Sequence, residues 1–302
     1  MARIALALHG GAGATRSRDY TREIAHMAGL VEAARDRLNQ GASAIDVVTD
    51  TVSALEACGF YVAGRGASPN LAGEYELDAS LMSGADLRAG AVATLQGFKS
   101  PIAVARAVME QTPHVLIAGD GAARFAGAIG AERVDNPAGW FTRAGAGEGN
   151  ALPGNGHPGG GHPGGAHTLA HGTVGCVALD ADGRLAAATS TGGVFGKMPG
   201  RVGDAPLIGA GTWADGHAAI GATGQGEFFI RVAAASQVAF RVAGGEPLEQ
   251  AAAAVLEQIR KLGGEGGLIS VDRHGNVSAP FNSEGMKRAI LTADGEISSA
   301  AF

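Results

Sequence analysis

A break in composition near the middle of the chain constrains its fold most. Across 143–171 large apolar side chains almost vanish, and Gly-His-Pro-Gly-Gly occurs twice, at 156–160 and 161–165. Such a segment buries too little surface to offset its ordering entropy, so it reads as a disordered linker. The stretch after it, Gly172-Thr173-Val174-Gly175-Cys176-Val177-Ala178-Leu179, reads as a buried strand. A turn at Asp180-Ala181-Asp182-Gly183 and a second apolar run over 184–188 complete a hairpin. Thr173 thus stands where the linker ends and a strand begins. A cut before Thr173 would give one residue a hydroxyl and a free α-amine, and such an amine can act as base for its own hydroxyl. The competing reading is that Thr173 merely opens a hairpin, as β-branched residues often do. His157, His162, His167 and His171, in or beside the linker, read as incidental rather than as a metal site.

Composition excludes several classes of function. The net charge is −6 with no basic block, which argues against nucleic-acid or anionic-membrane binding. No apolar run approaches membrane-spanning length, and the run over 4–8 is too short for a signal peptide. Cys58 and Cys176 form no metal or redox motif and fit a reducing compartment. A cytoplasmic protein is expected. The 50 glycines are not periodic and cluster in short groups, as tight turns around a site would require.

Helical spacing predicts helices over 19–40, from Ser43 through Leu55, and over 101–111, 121–130, 228–242 and 247–262. Strands are expected over 4–8, 75–82, 88–95, 115–118, 207–210 and 218–222, with a closing hairpin of 267–272 and 277–279. Blocks of strands alternate with blocks of helices. That is not a regular βαβ pattern and predicts an α+β layered fold, strands inside and helices outside.

Within this frame the polar residues sort by chemistry. His9-Gly10-Gly11-Ala12-Gly13 lacks the Lys-Ser/Thr of a P-loop, and the chain has no Gly-x-Ser-x-Gly elbow, so the loop reads as a close-packing turn and His9 as a hydrogen-bonded structural group. Thr189-Ser190-Thr191 is a hydroxyl cluster at a strand end. Arg201 and Asp204 either neutralise each other on the surface or grip a zwitterion, with Arg201 on a carboxylate and Asp204 on an ammonium. Thr223-Gly224-Gln225-Gly226 offers backbone N–H groups suited to an oxyanion.

Taken in order, these motifs and Pro280-Phe281-Asn282-Ser283-Glu284-Gly285 resemble the plant-type (type 2) L-asparaginase/isoaspartyl peptidase family of N-terminal nucleophile hydrolases, over about 4–289. The resemblance implies a four-layer αββα sandwich that cuts itself between Gly172 and Thr173, into a 1–172 α subunit and a 173–302 β subunit, with two such units paired in a dimer. It implies Thr173 as nucleophile, Thr191 as its orienting partner, and Thr223 with Gly224 as oxyanion hole. Arg201 and Asp204, helped by the Gly226 carbonyl, would hold the substrate's α-carboxylate and α-ammonium. An α-peptide bond would then leave Arg201 unpaired. The carbonyls of Leu55, Glu56, Cys58, Tyr61, Ala63 and Arg65 would bind a structural sodium ion, with no cofactor for catalysis. The implied activity is hydrolysis of isoaspartyl dipeptides and L-asparagine. A β-peptidyl aminopeptidase is the alternative with the same machinery, glycosylasparaginase is a more distant relative, and an uncleaved binding protein is the alternative from another class. The chain departs from the family where Val62-Ala63-Gly64-Arg65 replaces an Asn-Ala-Gly sequence: Val62 offers no side-chain hydrogen bond and Arg65 adds a charge, which bears on substrate choice.

Overall fold

The computed structural model describes residues 3–144 and 172–302, so most of the linker and its histidines lie outside the described residues. In chain order the elements are β1 (Ala5–His9), α1 (Thr21–Asn39), α2 (Ala44–Ala57), β2 (Leu77–Ser83), β3 (Ala89–Leu95), α3 (Pro101–Gln111), β4 (Leu116–Ala118), α4 (Gly119–Ala128) and α5 (Pro137–Trp140). After the linker come β5 (Thr173–Leu179), β6 (Leu185–Thr191), β7 (Thr212–Ala214), β8 (Ala218–Gly224), α6 (Gly226–Val232), α7 (Ala234–Ala243), α8 (Leu248–Lys261), β9 (Gly266–Asp272), β10 (Val277–Ser278), β11 (Arg288–Leu291) and β12 (Ile297–Ala300).

The strands form two sheets. The larger has the order β12-β11-β1-β5-β6-β2-β3-β4, antiparallel except for β3 and β4. The smaller runs β10-β9-β8-β7, antiparallel throughout. Leu6, Leu8, Val174 and Cys176 turn to the outer face of the large sheet, against Met27, Val31 and Leu38 of α1 and Val48, Val52 and Leu55 of α2. Their neighbours Ala5, Ala7, Val177 and Leu179 turn inward and meet Ala219, Ile269 and Val271 of the small sheet. The other face of the small sheet, with Ile220 and Leu268, is covered by Val238 of α7 and Val255 and Ile259 of α8. Strands buried on both faces read as continuous apolar runs rather than alternating ones. The result is the expected α+β sandwich in four layers, helix–sheet–sheet–helix.

Three expectations differ from the structure. The helix over 228–242 is two helices, broken where Ala233 takes a left-handed conformation (φ 49°). Helical spacing continues through the break, but the first turn of α7 docks elsewhere: Ala235 and Ser236 N–H groups donate to the carbonyls of Ala210 and Gly209. The strand over 207–210 is instead a pair of turns closed by Leu207 N–H to Asp204 O and Ala210 N–H to Leu207 O, and the ladder begins at β7. The C-terminal hairpin of β11 and β12 was not expected, because its short strands alternate polar and apolar residues too weakly.

Candidate active site

Strand periodicity places the candidate threonines. Alternate residues of a strand face the same side. Val177 and Leu179 of β5, Leu185 and Ala187 of β6, and Ala219 of β8 face the layer between the sheets, and so therefore do Thr173, Thr191 and Thr223. Thr173 lies directly opposite Thr191 in the β5–β6 ladder, and all three threonines are buried. The hydroxyl of Thr191 accepts from the Gly193 N–H at 3.0 Å, which fixes its side chain. The hydroxyl of Thr223 accepts from the Ala12 N–H at 3.3 Å, tying the glycine loop after β1 to β8. Gly224 next to it has φ +145°, and a Cβ there would stand 2.4 Å from the Glu265 carbonyl oxygen, so no other residue fits.

His9 faces the same layer. Burial pulls its pKa down to about 3, so the ring is neutral. Its Nδ1 lies 3.0 Å from the Thr173 carbonyl oxygen. An acceptor there assigns the proton to Nδ1. His9 thus holds the head of β5 as a structural donor, as the sequence suggested.

Arg201 and Asp204 come from the loop between β6 and β7. The Arg201 guanidinium donates from Nε (2.9 Å) to one oxygen of the exposed Glu227 carboxylate, and its Nη2 lies 2.8 Å from the same oxygen. Its Nη1 makes no hydrogen bond among the described residues. Asp204 is 3% exposed, and its Oδ2 has no partner among the described residues. Burial pushes its pKa up to about 7, against the pull of its own backbone N–H and of Arg201. Gly226 opens α6 against this carboxylate: a Cβ there would stand 2.8 Å from Asp204 Oδ1.

The structure also brings in residues that the sequence reading missed. The Ala205 carbonyl, next to Asp204, accepts from Ser80 Oγ (2.6 Å) and Thr189 Oγ1 (2.9 Å), and both hydroxyls also bond Thr212 Oγ1. This buried hydroxyl frame joins β2, β6 and β7 beneath the clamp loop. Asp78, opposite Thr191 in the β2–β6 ladder, accepts the Thr94 N–H at 2.7 Å through Oδ1, and burial raises its pKa to about 6. The buried Lys197 ammonium donates to the Glu76 carbonyl at 3.2 Å and lies 3.6 Å from the Glu76 carboxylate. A signal was present. Glu76-Leu77-Asp78-Ala79-Ser80 alternates with period 2, which places a polar face where a layered fold puts its middle.

The loop before β2 reaches the site through Val62. Its carbonyl accepts the Gly192 N–H at 2.8 Å, and a side chain on Gly172 would lie 2.4 Å from Val62 Cγ2. Arg65 points elsewhere: Nε donates to the Trp140 carbonyl and the guanidinium lies 5.4 Å from that indole ring. The charge that Arg65 adds to this loop is thus directed at Trp140. A cavity of about 610 Å³ between the α7–α8 and β9–β10 connections holds none of these residues.

Two facing sheets between helix layers, with Thr173, Thr191 and Thr223 turned into the gap, match the layered α+β fold of the N-terminal nucleophile hydrolases. Comparison with known proteins narrows the class. The family model described as Asparaginase matches residues 2–300. The isoaspartyl peptidase of Escherichia coli (strain K12) is 45% identical over 304 residues, covering 96% of this chain and 93% of that protein. The isoaspartyl peptidase of Salmonella typhimurium is 46% identical over 302 residues, covering 96% and 95%. The isoaspartyl peptidase/L-asparaginase of Homo sapiens is 39% identical over 296 residues, covering 96% and 93%. The chain belongs to this asparaginase/isoaspartyl peptidase family.

Proposed function

We propose that the protein is a threonine amidohydrolase that cuts itself before Thr173 and then releases L-aspartate from isoaspartyl dipeptides and L-asparagine. In the first step Thr173 Oγ attacks the Gly172 carbonyl carbon. The C–N bond breaks as an ester forms, the Oγ proton passing to the departing Thr173 nitrogen and freeing its amine, and water then splits the ester into a Gly172 carboxylate and the Thr173 hydroxyl. That amine then takes the Oγ proton as Oγ attacks the substrate's side-chain amide, and returns it to the departing nitrogen. Water releases aspartate from the acyl-enzyme by the same route. The Thr223 hydroxyl accepts from Ala12, which leaves its own hydrogen for the developing oxyanion, together with the Gly224 N–H. Thr191, across the ladder, orients Thr173.

The observation that carries this reading is the Asp204 carboxylate, buried beside Arg201 with one oxygen unpartnered. A buried acceptor without a donor is costly, and a substrate ammonium would satisfy it while the α-carboxylate meets Arg201 and the Gly226 carbonyl assists. No specific observation favours the β-peptidyl aminopeptidase or the uncleaved binding protein.

The same reading assigns a structural sodium ion to the carbonyls of Leu55, Glu56, Cys58, Tyr61, Ala63 and Arg65. The Tyr61, Ala63 and Arg65 carbonyls also accept the Ala63, Gly66 and Thr142 N–H groups, so an ion would share them. A Cβ on Gly66 would stand 1.8 Å from the Tyr61 carbonyl oxygen, and one on Gly64 2.7 Å from that of Glu56, so the loop curls tightly around its own carbonyls. Bound sodium would hold this loop, and with it Val62, against the site. The reading further assigns a dimer of cleaved units in the cytoplasm. Among the described residues no helix is long and apolar enough to cross a membrane.

Intact-mass analysis tests the core. The parent should appear as 1–172 and 173–302 and the Thr173→Ala variant as one chain, with only the parent hydrolysing isoaspartyl-leucine and L-asparagine. A single stable chain, inert toward both and toward a β-homo-amino-acid amide, would overturn it.

A further inference from the structure

A small cavity of about 70 Å³ adjoins Gly172 and Val62, and neither Arg201 nor Asp204 lines it. In an acyl transfer at Thr173 Oγ the departing nitrogen takes its proton from the Thr173 amine, the position to which Gly172 is joined. The cavity beside Gly172 is therefore on the leaving-group side. Its other walls include Tyr20, Tyr61, Glu23 and Lys287.

Lys287 is the unusual group there. It is 8% exposed, and its ammonium makes no hydrogen bond or ion pair among the described residues. It has only the face of Tyr20, 5.1 Å from the ring centre. Burial lowers its pKa to about 8, with Glu23 pulling up and Arg18 down. The nearby Glu23 carboxylate is already paired with Arg18 at 2.9 Å, so those two charges cancel and the positive charge of Lys287 is left over. A largely buried lysine with no ion pair of its own among the described residues is placed to accept an anion. The lysine is also held in place. Gly10 N–H donates to the Lys287 carbonyl at 2.8 Å and Lys287 N–H to the Gly11 carbonyl at 3.2 Å. Gly10 and Gly11 directly follow His9, which binds the Thr173 carbonyl. Nucleophile and ammonium thus hang on one stretch of backbone. The cavity is several times what one water needs, enough for a carboxylate.

We infer that Lys287 forms a subsite for the free α-carboxylate of the leaving amino acid, so that the enzyme prefers isoaspartyl dipeptides to isoaspartyl peptides blocked or extended at that end. This rests on the isoaspartyl reading above. The aromatic walls of Tyr20 and Tyr61 would border the leaving residue.

Steady-state kinetics at neutral pH with isoaspartyl-leucine, isoaspartyl-leucinamide and L-asparagine test it. The self-cleaved parent should favour the free acid over the amide by about tenfold in kcat/KM, the scale of one charge-assisted bond. Lys287→Met should erase that preference through KM, and Lys287→Arg should keep most of it. Equal turnover of acid and amide by the parent overturns the inference without any variant, and so does a loss in Lys287→Met that is the same for all three substrates. A self-cleaved parent that turns over none of the three would overturn the amidohydrolase reading itself, and the subsite with it.

Discussion

The threonine layer and the clamp loop face the same gap between the sheets but are held there by different means. Thr173, Thr191 and Thr223 ride on β5, β6 and β8, where backbone ladders and the two-residue repeat set their direction. Arg201 and Asp204 ride on a loop with no ladder of its own. That loop is held from below by the Ser80–Thr189–Thr212 hydroxyls on the Ala205 carbonyl and from the side by Glu227 on Arg201. The comparison teaches where each kind of damage should appear. A change in a strand-borne group removes a chemical step and leaves the frame standing. A change around the loop loosens substrate binding and spares the chemistry.

The largest effect short of losing the nucleophile belongs to the strands. Thr223→Val keeps the β-branched shape in β8 and removes the hydroxyl. It should lower kcat by about 10²- to 10³-fold, the usual scale for one oxyanion donor, with little change in KM. A mainly KM effect would mean that Thr223 binds substrate rather than the transition state, and the contrast between strand and loop would fail.

Asp204→Asn should act in the opposite manner. Removing the charge that meets the substrate ammonium should raise KM by about 10²-fold and change kcat less. The pH dependence has a definite sign. With its pKa pushed up to about 7 by burial, Asp204 of the free enzyme is protonated below that value, so kcat/KM should fall as pH drops through about 7. Stability runs the other way. Below the ordinary aspartate range the carboxyl is protonated both folded and unfolded, and burial has no charge to penalise. As pH rises through about 7 the folded state must hold a buried charge, and stability falls. Asp204→Asn should therefore melt higher than the parent at pH 8, with the gain gone near pH 4. A variant no more stable at pH 8 would show that the carboxylate is satisfied without substrate.

Ser80→Ala probes the support beneath the loop. It removes one of three hydroxyls on the Ala205 carbonyl, and Thr189 and Thr212 still satisfy that oxygen. Stability should fall by about 1 kcal/mol and KM should rise a few-fold, with kcat nearly unchanged. Thermal unfolding and kinetics on one preparation measure both.

The same division explains what the sequence could show. The threonines were legible because a buried strand has only two faces: once β5, β6 and β8 are recognised, their odd-numbered residues go to one side. Arg201 and Asp204 were legible as chemistry but not as placement. Nothing local to 200–204 says that a hydroxyl on β2 will anchor the next residue, since the contact spans 125 positions along the chain. Ala233 was missed for a related reason. Its break is set by where α7 docks on Gly209 and Ala210, not by its own propensity. Lys287 is inconspicuous in the sequence because a lysine beside an arginine at the start of a short strand is ordinary, and only its burial without an ion pair of its own among the described residues makes it notable.

Arg65 supplies the smallest expected effect and a sharp control. It lies in the loop whose Val62 packs beside Gly172, so by sequence it belongs to the site's surroundings and by charge it should matter. In the structure its guanidinium turns to the carbonyl and ring of Trp140. Arg65→Met keeps most of the stem that packs there and deletes the charge. Selectivity between isoaspartyl-leucine and L-asparagine should stay within about twofold and stability within about 0.5 kcal/mol, as for a substitution away from buried features. A selectivity change of tenfold would mean that the loop turns Arg65 toward the substrate during turnover. The clamp would then have a third charged member, and the division between strand-borne chemistry and loop-borne binding would have to include the 58–66 loop after α2.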